Sequence, residues 1–291
     1  MPMAAAPIAA MSPALLEQRG RIEGVLRAFL REIRTEMVVV AADAALPIDE
    51  VIRLVEAGGK RLRPAFCYWG FRAAGGRQEG PIARASAAME LLHTMALIHD
   101  DLMDATPERR GVPSSARHLA NEARRRGAPD PEGTGRSLAI LSGDLAAVLA
   151  DRALLTAGFD VDVLVVALDR YNRMRTEMAL GQCLDVLGTE GPGPTVVATL
   201  KSGSYTVEGP LAIGAALAGA SPVALDALAA YARPLGLAFQ LRDDERDGDA
   251  AHVPGRVSSL VADAKVALRS PALDPGAIDA LRVLAELVEA S

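Results

Sequence analysis

The chain has 291 residues, 50% of them hydrophobic but only 3% aromatic, and its 31 Lys and Arg against 37 Asp and Glu give a net charge of −6. Apolar content this high excludes disorder of the whole chain, and 26 Gly and 2 Cys exclude collagen-like and disulfide-scaffold classes. The negative balance excludes a general nucleic-acid surface but leaves room for a local basic pocket that takes a small anion.

Residues 1–14 include the apolar run MPMAAAPIAAM, which lacks a basic leader and is broken by two prolines. They read as a disordered tail rather than a signal peptide. From Leu15 the spacing Leu15, Ile22, Leu26, Phe29, Leu30, Ile33 predicts an amphipathic helix. A second helix is predicted over 49–57, closed by Gly58-Gly59. Helical pattern resumes after Pro64, and again from 81 to beyond 104. Breakers crowd 111–135, which reads as a connector holding a short Arg-rich helix at 116–126. Further helices are expected at 137–157, 161–187, 195–217 and 221–244. Beyond about 248 the Gly, Pro and Ser content predicts a loosely specified end with one last helix near 277–289. No strand alternation persists and no repeat recurs. The expectation is an all-α single domain, 15–291, with no membrane span and, from two cysteines without CxxC spacing, a reducing cytoplasmic home.

Two stretches carry the same acidic pattern: Asp100, Asp101, Asp104 in HDDLMD and Asp243, Asp244, Asp247 in RDDERD. On a helix, i and i+4 lie about 40° apart and i+1 about 100° away, so each triplet lines one ridge. Carboxylates at that density repel one another and call for a cation. Hard oxygen ligands suit Mg²⁺, which completes its shell with water and phosphate oxygens. Apolar residues precede both triplets, which draws each helix into a core and leaves its acidic end at the rim. Lys60, Arg61 and Arg63 follow the Gly58-Gly59 turn, and Arg109-Arg110-Gly111 lies just past the first triplet, placing guanidinium groups where they can bind phosphate.

In these motifs the chain resembles the trans-isoprenyl diphosphate synthases, or polyprenyl synthetases, of the short-chain type that makes farnesyl and geranylgeranyl diphosphate. The family's GGKxxRP corresponds to Gly58 through Pro64, its H-DDxxD-xxxx-RRGxP to His99 through Pro113, and its FQxxDDxxD to Phe239 through Asp247. Gly143-Asp144, the GQxxD from Gly181 to Asp185, and Lys201-Ser202 with Tyr205 match more weakly, all in the family's order.

The resemblance implies an isoprenoid-synthase-type helical bundle around a central cavity. It implies Mg²⁺, three per active site, held by Asp100, Asp101, Asp104, Asp243, Asp244 and Asp247. Lys60, Arg63, His93 and Arg110 would bind the diphosphate of isopentenyl diphosphate. Arg109, Lys201, Ser202 and Gln240 would serve the allylic diphosphate, with Asp100, Asp101, Asp104, Lys201, Asp243 and Asp244 promoting its ionisation. Met95 and Ala96, five and four residues before Asp100, would set product length, most simply at C20. The partners implied are isopentenyl diphosphate, an allylic prenyl diphosphate and a second copy of the chain.

After Asp247 the family has two Gly-Lys pairs, where this sequence has Gly255-Arg256 and Ala264-Lys265. That departure keeps two alternatives open: a terpene cyclase-like offshoot, and a noncatalytic subunit of a heteromeric synthase. The intact GGKRLRP, His93 and Arg110 weigh against a cyclase, which has no use for an isopentenyl diphosphate site.

Overall fold

The computed structural model describes residues 11–109, 111–188, 196–197, 199–247 and 255–290, without the side chains of Thr199, Lys201, Ser202, Arg246 and Asp247. Among them run eleven α-helices: α1 Pro13–Val40, α2 Leu46–Glu56, α3 Leu62–Ala73, α4 Glu79–Met103, α5 Ser115–Arg125, α6 Pro131–Leu155, α7 Val161–Leu187, α8 Gly209–Leu217, α9 Pro222–Asp247, α10 Arg256–Ala267 and α11 Pro275–Glu289. A π-helical stretch, Thr199–Glu208, leads into α8, and β1 (Glu108–Arg109) pairs antiparallel with β2 (Val112–Pro113). The fold is all-α. Among the described residues no helix is long and apolar enough to cross a membrane.

The chain forms two compact units. The first comprises most of α1, α2, the part of α4 from Ala87 onward, the hairpin, α5 and α6. Its core begins with the stripe read from the sequence: Ile22, Leu26, Phe29, Leu30 and Ile33 are all buried. Beneath the acidic end of α4, Leu54, Ile98, Leu119 and Ala139 pack together with Leu102, Ala116 and Leu138 around them. Burying a Leu or Ile side chain contributes roughly 1.5–3 kcal/mol, so this cluster anchors the acidic end of α4. At Gly135 a Cβ would stand 2.6 Å from the Ala116 carbonyl oxygen, so glycine lets α6 run against α5. α6 begins six residues earlier than the connector reading placed it. Asp130 caps it by accepting from the Gly133 amide at 2.9 Å, and Pro131 suits the first turn.

The second unit comprises α3, the start of α4, α7, the π-helical stretch and α8 to α11. Most of α3 is buried, Phe66, Cys67, Trp69 and Phe71 among its residues, and it behaves as an interior helix that leaves Arg63 and Arg72 at its surface. Its backbone touches α8: a Cβ on Gly70 would overlap the Leu211 carbonyl, and one on Gly214 the Cys67 carbonyl. Glycine at both crossings is what permits that approach. α9 passes the π-helical stretch less tightly, since a Cβ on Gly236 would lie 3.1 Å from the Gly203 carbonyl oxygen.

The C-terminal end corrects the sequence reading. Residues 256–267 form a full helix, α10, whose Val257, Val261, Ala264 and Leu268 are buried at helical spacing. Composition hid a periodicity that packing uses. Lys265, standing where the family has its second Gly-Lys, pairs with Glu286 of α11 at 2.9 Å and so ties the end together.

Candidate active site

The first acidic motif does not stay on a helix. α4 ends at Met103, the Asp104 amide donates to the Asp100 carbonyl at 2.9 Å, and Ala105 turns left-handed at φ 50°. The expectation of a helix running beyond Asp104 is therefore corrected: Asp104 is exposed on the turn that leaves α4. The cause lies downstream, where the Thr106 amide donates to the Asp101 carbonyl and the chain folds into the hairpin. That hairpin brings Arg109 back onto the motif. Its Nε donates to Asp101 Oδ1 at 2.6 Å and its Nη2 to Asp100 Oδ2 at 3.2 Å.

Asp101 is the most telling group of the site. Its side chain is only 2% exposed, and its Oδ2 is buried without a hydrogen-bond partner. Burial pushes its carboxyl above the ordinary range, Arg109 works against that, and the neighbouring Asp100 and Asp104 add to it. A buried carboxylate oxygen with no donor, flanked by two further carboxylates, fits a divalent cation. Among the described residues no three His, Cys, Asp or Glu side chains converge into a ready-made cage. Mg²⁺ does not require one, because it is bound through one or two carboxylates with water and phosphate oxygens.

The structure also gives a reason for the weak Gly143-Asp144 match. A Cβ on Gly143 would overlap the His99 ring, and His99 Nε2 lies 3.7 Å from Asp144 Oδ1. Thus α6 leaves a slot for the histidine that precedes the acidic motif. On α4 itself His93, Met95 and Ala96 are half-buried within the two turns before Asp100.

Around Gly58-Gly59-Lys60-Arg61 the backbone is unusual, with φ of 85° at Gly58, 151° at Gly59 and 56° at Arg61. Glycine meets the first two at little cost, whereas a left-handed arginine costs about 1–3 kcal/mol and is held by its surroundings. Arg61 caps α3 and is buried. Two residues on, Arg63 Nη2 donates to Thr206 Oγ1 at 2.7 Å, and its guanidinium lies 4.3 Å from the centre of the Tyr205 ring. Sequence reasoning assigned Arg63 a diphosphate and missed these two neighbours. They tie α3 to the stretch that carries Lys201.

In the second acidic motif Gln240 Nε2 donates to Asp244 Oδ1 at 2.5 Å, and Asp243 and Asp244 are half-buried at the end of α9. Arg242 anchors this end, its Nε donating to the Glu289 carbonyl at 2.8 Å and its Nη1 to Glu245 at 3.1 Å. The last turn of α11 thereby positions the motif, a role no reading of the local sequence suggested. Arg110 lies outside the described residues, as do the side chains of Lys201, Ser202 and Asp247. A cavity of about 320 Å³ in the second unit, lined by Arg170, Leu211, Leu225 and Leu228 among others, involves none of the candidate site residues.

A match to the polyprenyl synthetase family spans residues 48–252, and the chain belongs to that family. It is 36% identical over 211 residues to a geranylgeranyl diphosphate synthase of Cyanophora paradoxa, covering 68% of this chain and 64% of that protein. A short chain isoprenyl diphosphate synthase of Methanothermobacter thermautotrophicus is 33% identical over 242 residues, covering 81% and 69%. The chain thus spans just under two thirds of the first relative's length and slightly more of the second's. Among solved structures, geranylgeranyl pyrophosphate synthase from Corynebacterium glutamicum, complexed with isoprenyl diphosphate and magnesium, superposes with a TM-score of 0.83 at 26% identity. That match covers 92% of this chain and 97% of the other.

Proposed function

We propose that this chain is a magnesium-dependent prenyltransferase that joins isopentenyl diphosphate to an allylic diphosphate and releases a short trans-prenyl diphosphate, C20 in length. The observation that carries the reading is the buried Asp101, clamped by Arg109 on one oxygen and without a hydrogen-bond partner on the other, at the end of the helix that bears Met95 and Ala96. The names of the relatives above support the same chemistry.

Asp100, Asp101 and Asp104, with Asp243, Asp244 and Asp247, would hold the magnesium ions. When bound, these supply the positive charge that neutralises a departing diphosphate. Arg109 adds a guanidinium that is already aligned, with Lys201, Ser202 and Gln240 as further donors to the allylic diphosphate. Lys60, Arg63, His93 and Arg110 take the diphosphate of isopentenyl diphosphate, and Arg63 is oriented for that by Thr206 and Tyr205. The allylic C–O bond breaks and its electron pair leaves with the diphosphate. The alkene of isopentenyl diphosphate then attacks the allyl cation, and the released diphosphate takes the proton lost as the new double bond forms. No Ser or Cys nucleophile is required. Cys67 fits that conclusion, because burial pushes its thiol up to about 12.

The working form we propose is a homodimer. α6 exposes Ile140, Leu141, Val148 and Leu155, and α7 exposes Val161, Val165, Val166, Leu180, Val186 and Leu187. Apolar helix faces of that extent suit a second copy. Light scattering should return twice the 30.4 kDa chain mass, and a 30.4 kDa particle would refute the dimer. Both cysteines are free, which accords with a cytoplasmic setting. The transferase reading is tested by sizing the product made from isopentenyl diphosphate and allylic partners of increasing length.

A further inference from the structure

The hairpin that carries Arg109 is too small to hold itself. Each strand has two residues, paired Glu108 with Pro113 and Arg109 with Val112, and even longer isolated hairpins are marginal in water. Among the described residues its ion pair to α5, Arg117 with Glu108 at 4.0 Å, is more than half exposed at both ends and contributes little. Besides Arg109 on Asp100 and Asp101, a second hold lies behind it, on α2.

Glu50 is a charged side chain with no exposure at all. Its Oε1 accepts from Arg53 Nη2 at 2.6 Å and its Oε2 from Arg53 Nε at 2.9 Å, a bidentate fork. His118 Nδ1 of α5 lies 2.7 Å from the same Oε2. With its guanidinium held in one plane, Arg53 Nη2 also donates to the Pro113 carbonyl at 3.1 Å. Pro113 has no N–H, so its carbonyl is the polar group by which the end of β2 can be gripped. One buried carboxylate therefore holds the return limb of the hairpin from two sides, through Arg53 at Pro113 and through His118 at the first turn of α5. Nothing in the GGKxxRP or DDxxD patterns requires a residue at 50 or 53 to do this.

We propose that Arg53, oriented by Glu50, is a positioning residue: it sets the hairpin so that the Arg109 guanidinium rests on Asp100 and Asp101, and so governs how tightly the allylic diphosphate is bound. The second half of that statement rests on the transferase reading, whereas the first stands on the tether alone. Arg53 bonds to Glu50 and to the Pro113 carbonyl, so its effect on substrate passes through the hairpin that carries Arg109.

The test uses Arg53→Lys, which keeps a cation beside Glu50 but lacks the fork that spans both carboxylate oxygens and the Pro113 carbonyl. The charge-balanced pair Glu50→Gln with Arg53→Met serves as a second variant that leaves no buried charge unpaired. In the ligand-free protein, amides of residues 108–112 and of Ser114 should exchange about ten-fold faster or more, while those of α2 and α5 keep their protection. The KM for the allylic diphosphate should rise about ten-fold. In an Arg109→Gln background the same Arg53→Lys change should add less than two-fold. Unchanged exchange in the hairpin overturns the tether whatever the activity. Faster exchange with Arg53 and Arg109 effects that multiply independently overturns the route through Arg109. A chain that makes no prenyl product would sink the transferase reading, and the exchange measurement would still decide the tether.

Discussion

Replacing Asp101 by Asn separates the work of its charge from its place in the fold. Its pair with Arg109 at 2.6 Å gains about 6 kcal/mol at the effective dielectric of a protein surface, while taking a carboxylate out of water costs several kcal/mol. The raised pKa decides between them: burial wins, and ionised Asp101 is a cost to the magnesium-free fold. A group whose folded pKa is raised gives up stability as pH climbs through its titration, so at pH 7 the wild type bears that cost and the Asn variant does not. Asn keeps an oxygen for Arg109 Nε and fills the same space. Urea unfolding without magnesium at pH 7 should therefore place Asp101→Asn within about 1 kcal/mol of wild type, or above it. Turnover should fall by roughly 10²–10³, the loss expected when one group that stabilises a departing charge is removed. A variant that loses more than about 3 kcal/mol of stability, or turns over within a few-fold of wild type, would refute the reasoning.

Glycine gives a paired test of packing: Gly214→Ala must push α8 off the Cys67 carbonyl and should cost about 2 kcal/mol, whereas Gly24→Ala on α1, where nothing lies within 4 Å, should gain up to about 1 kcal/mol. Equal unfolding midpoints for the two variants would contradict the close α3–α8 crossing. Glu50 should shape the acid limb of stability. Burial would raise its carboxyl, but hydrogen bonds from Arg53 and His118 outweigh that and hold it below its ordinary 4.5. Its contribution is then complete above pH 4.5 and lost as pH falls through the lower folded value, so Glu50→Gln should flatten stability below pH 4.5, and an unaltered acid limb would refute this. Met95→Phe should shorten the product without abolishing turnover, because it adds volume a turn away from the carboxylates, and an unchanged chain length by chromatography would remove Met95 from the wall of the hydrocarbon path.

Where the apolar period was long and clean, the sequence was a sufficient guide. The α7 bounds coincide with those read from the pattern, and the α1 stripe is buried as expected. Misreadings fell where composition and periodicity disagree. Ser258, Ser259 and the nearby Gly255 disguised α10, although Val257, Val261, Ala264 and Leu268 mark its inner face. Asp130-Pro131, taken for a breaker, starts α6. At the site the carboxylates and guanidinium groups were visible as types, but their pairings were not. Arg109 on Asp101, Arg63 on Thr206, Arg242 on the Glu289 carbonyl and His99 against Gly143 join residues from 8 to 143 positions apart, and local spacing holds no trace of them. The left-handed turn at Ala105, which takes Asp104 off the helix, carries no glycine to announce it.

The most direct test is to incubate the purified chain with isopentenyl diphosphate, magnesium and, in separate reactions, C5, C10 and C15 allylic diphosphates, and to size the products after dephosphorylation. The account predicts a C20 product from each partner, abolished by chelating the magnesium. Failure to elongate any of the three, or elongation that persists without a divalent cation, would contradict it.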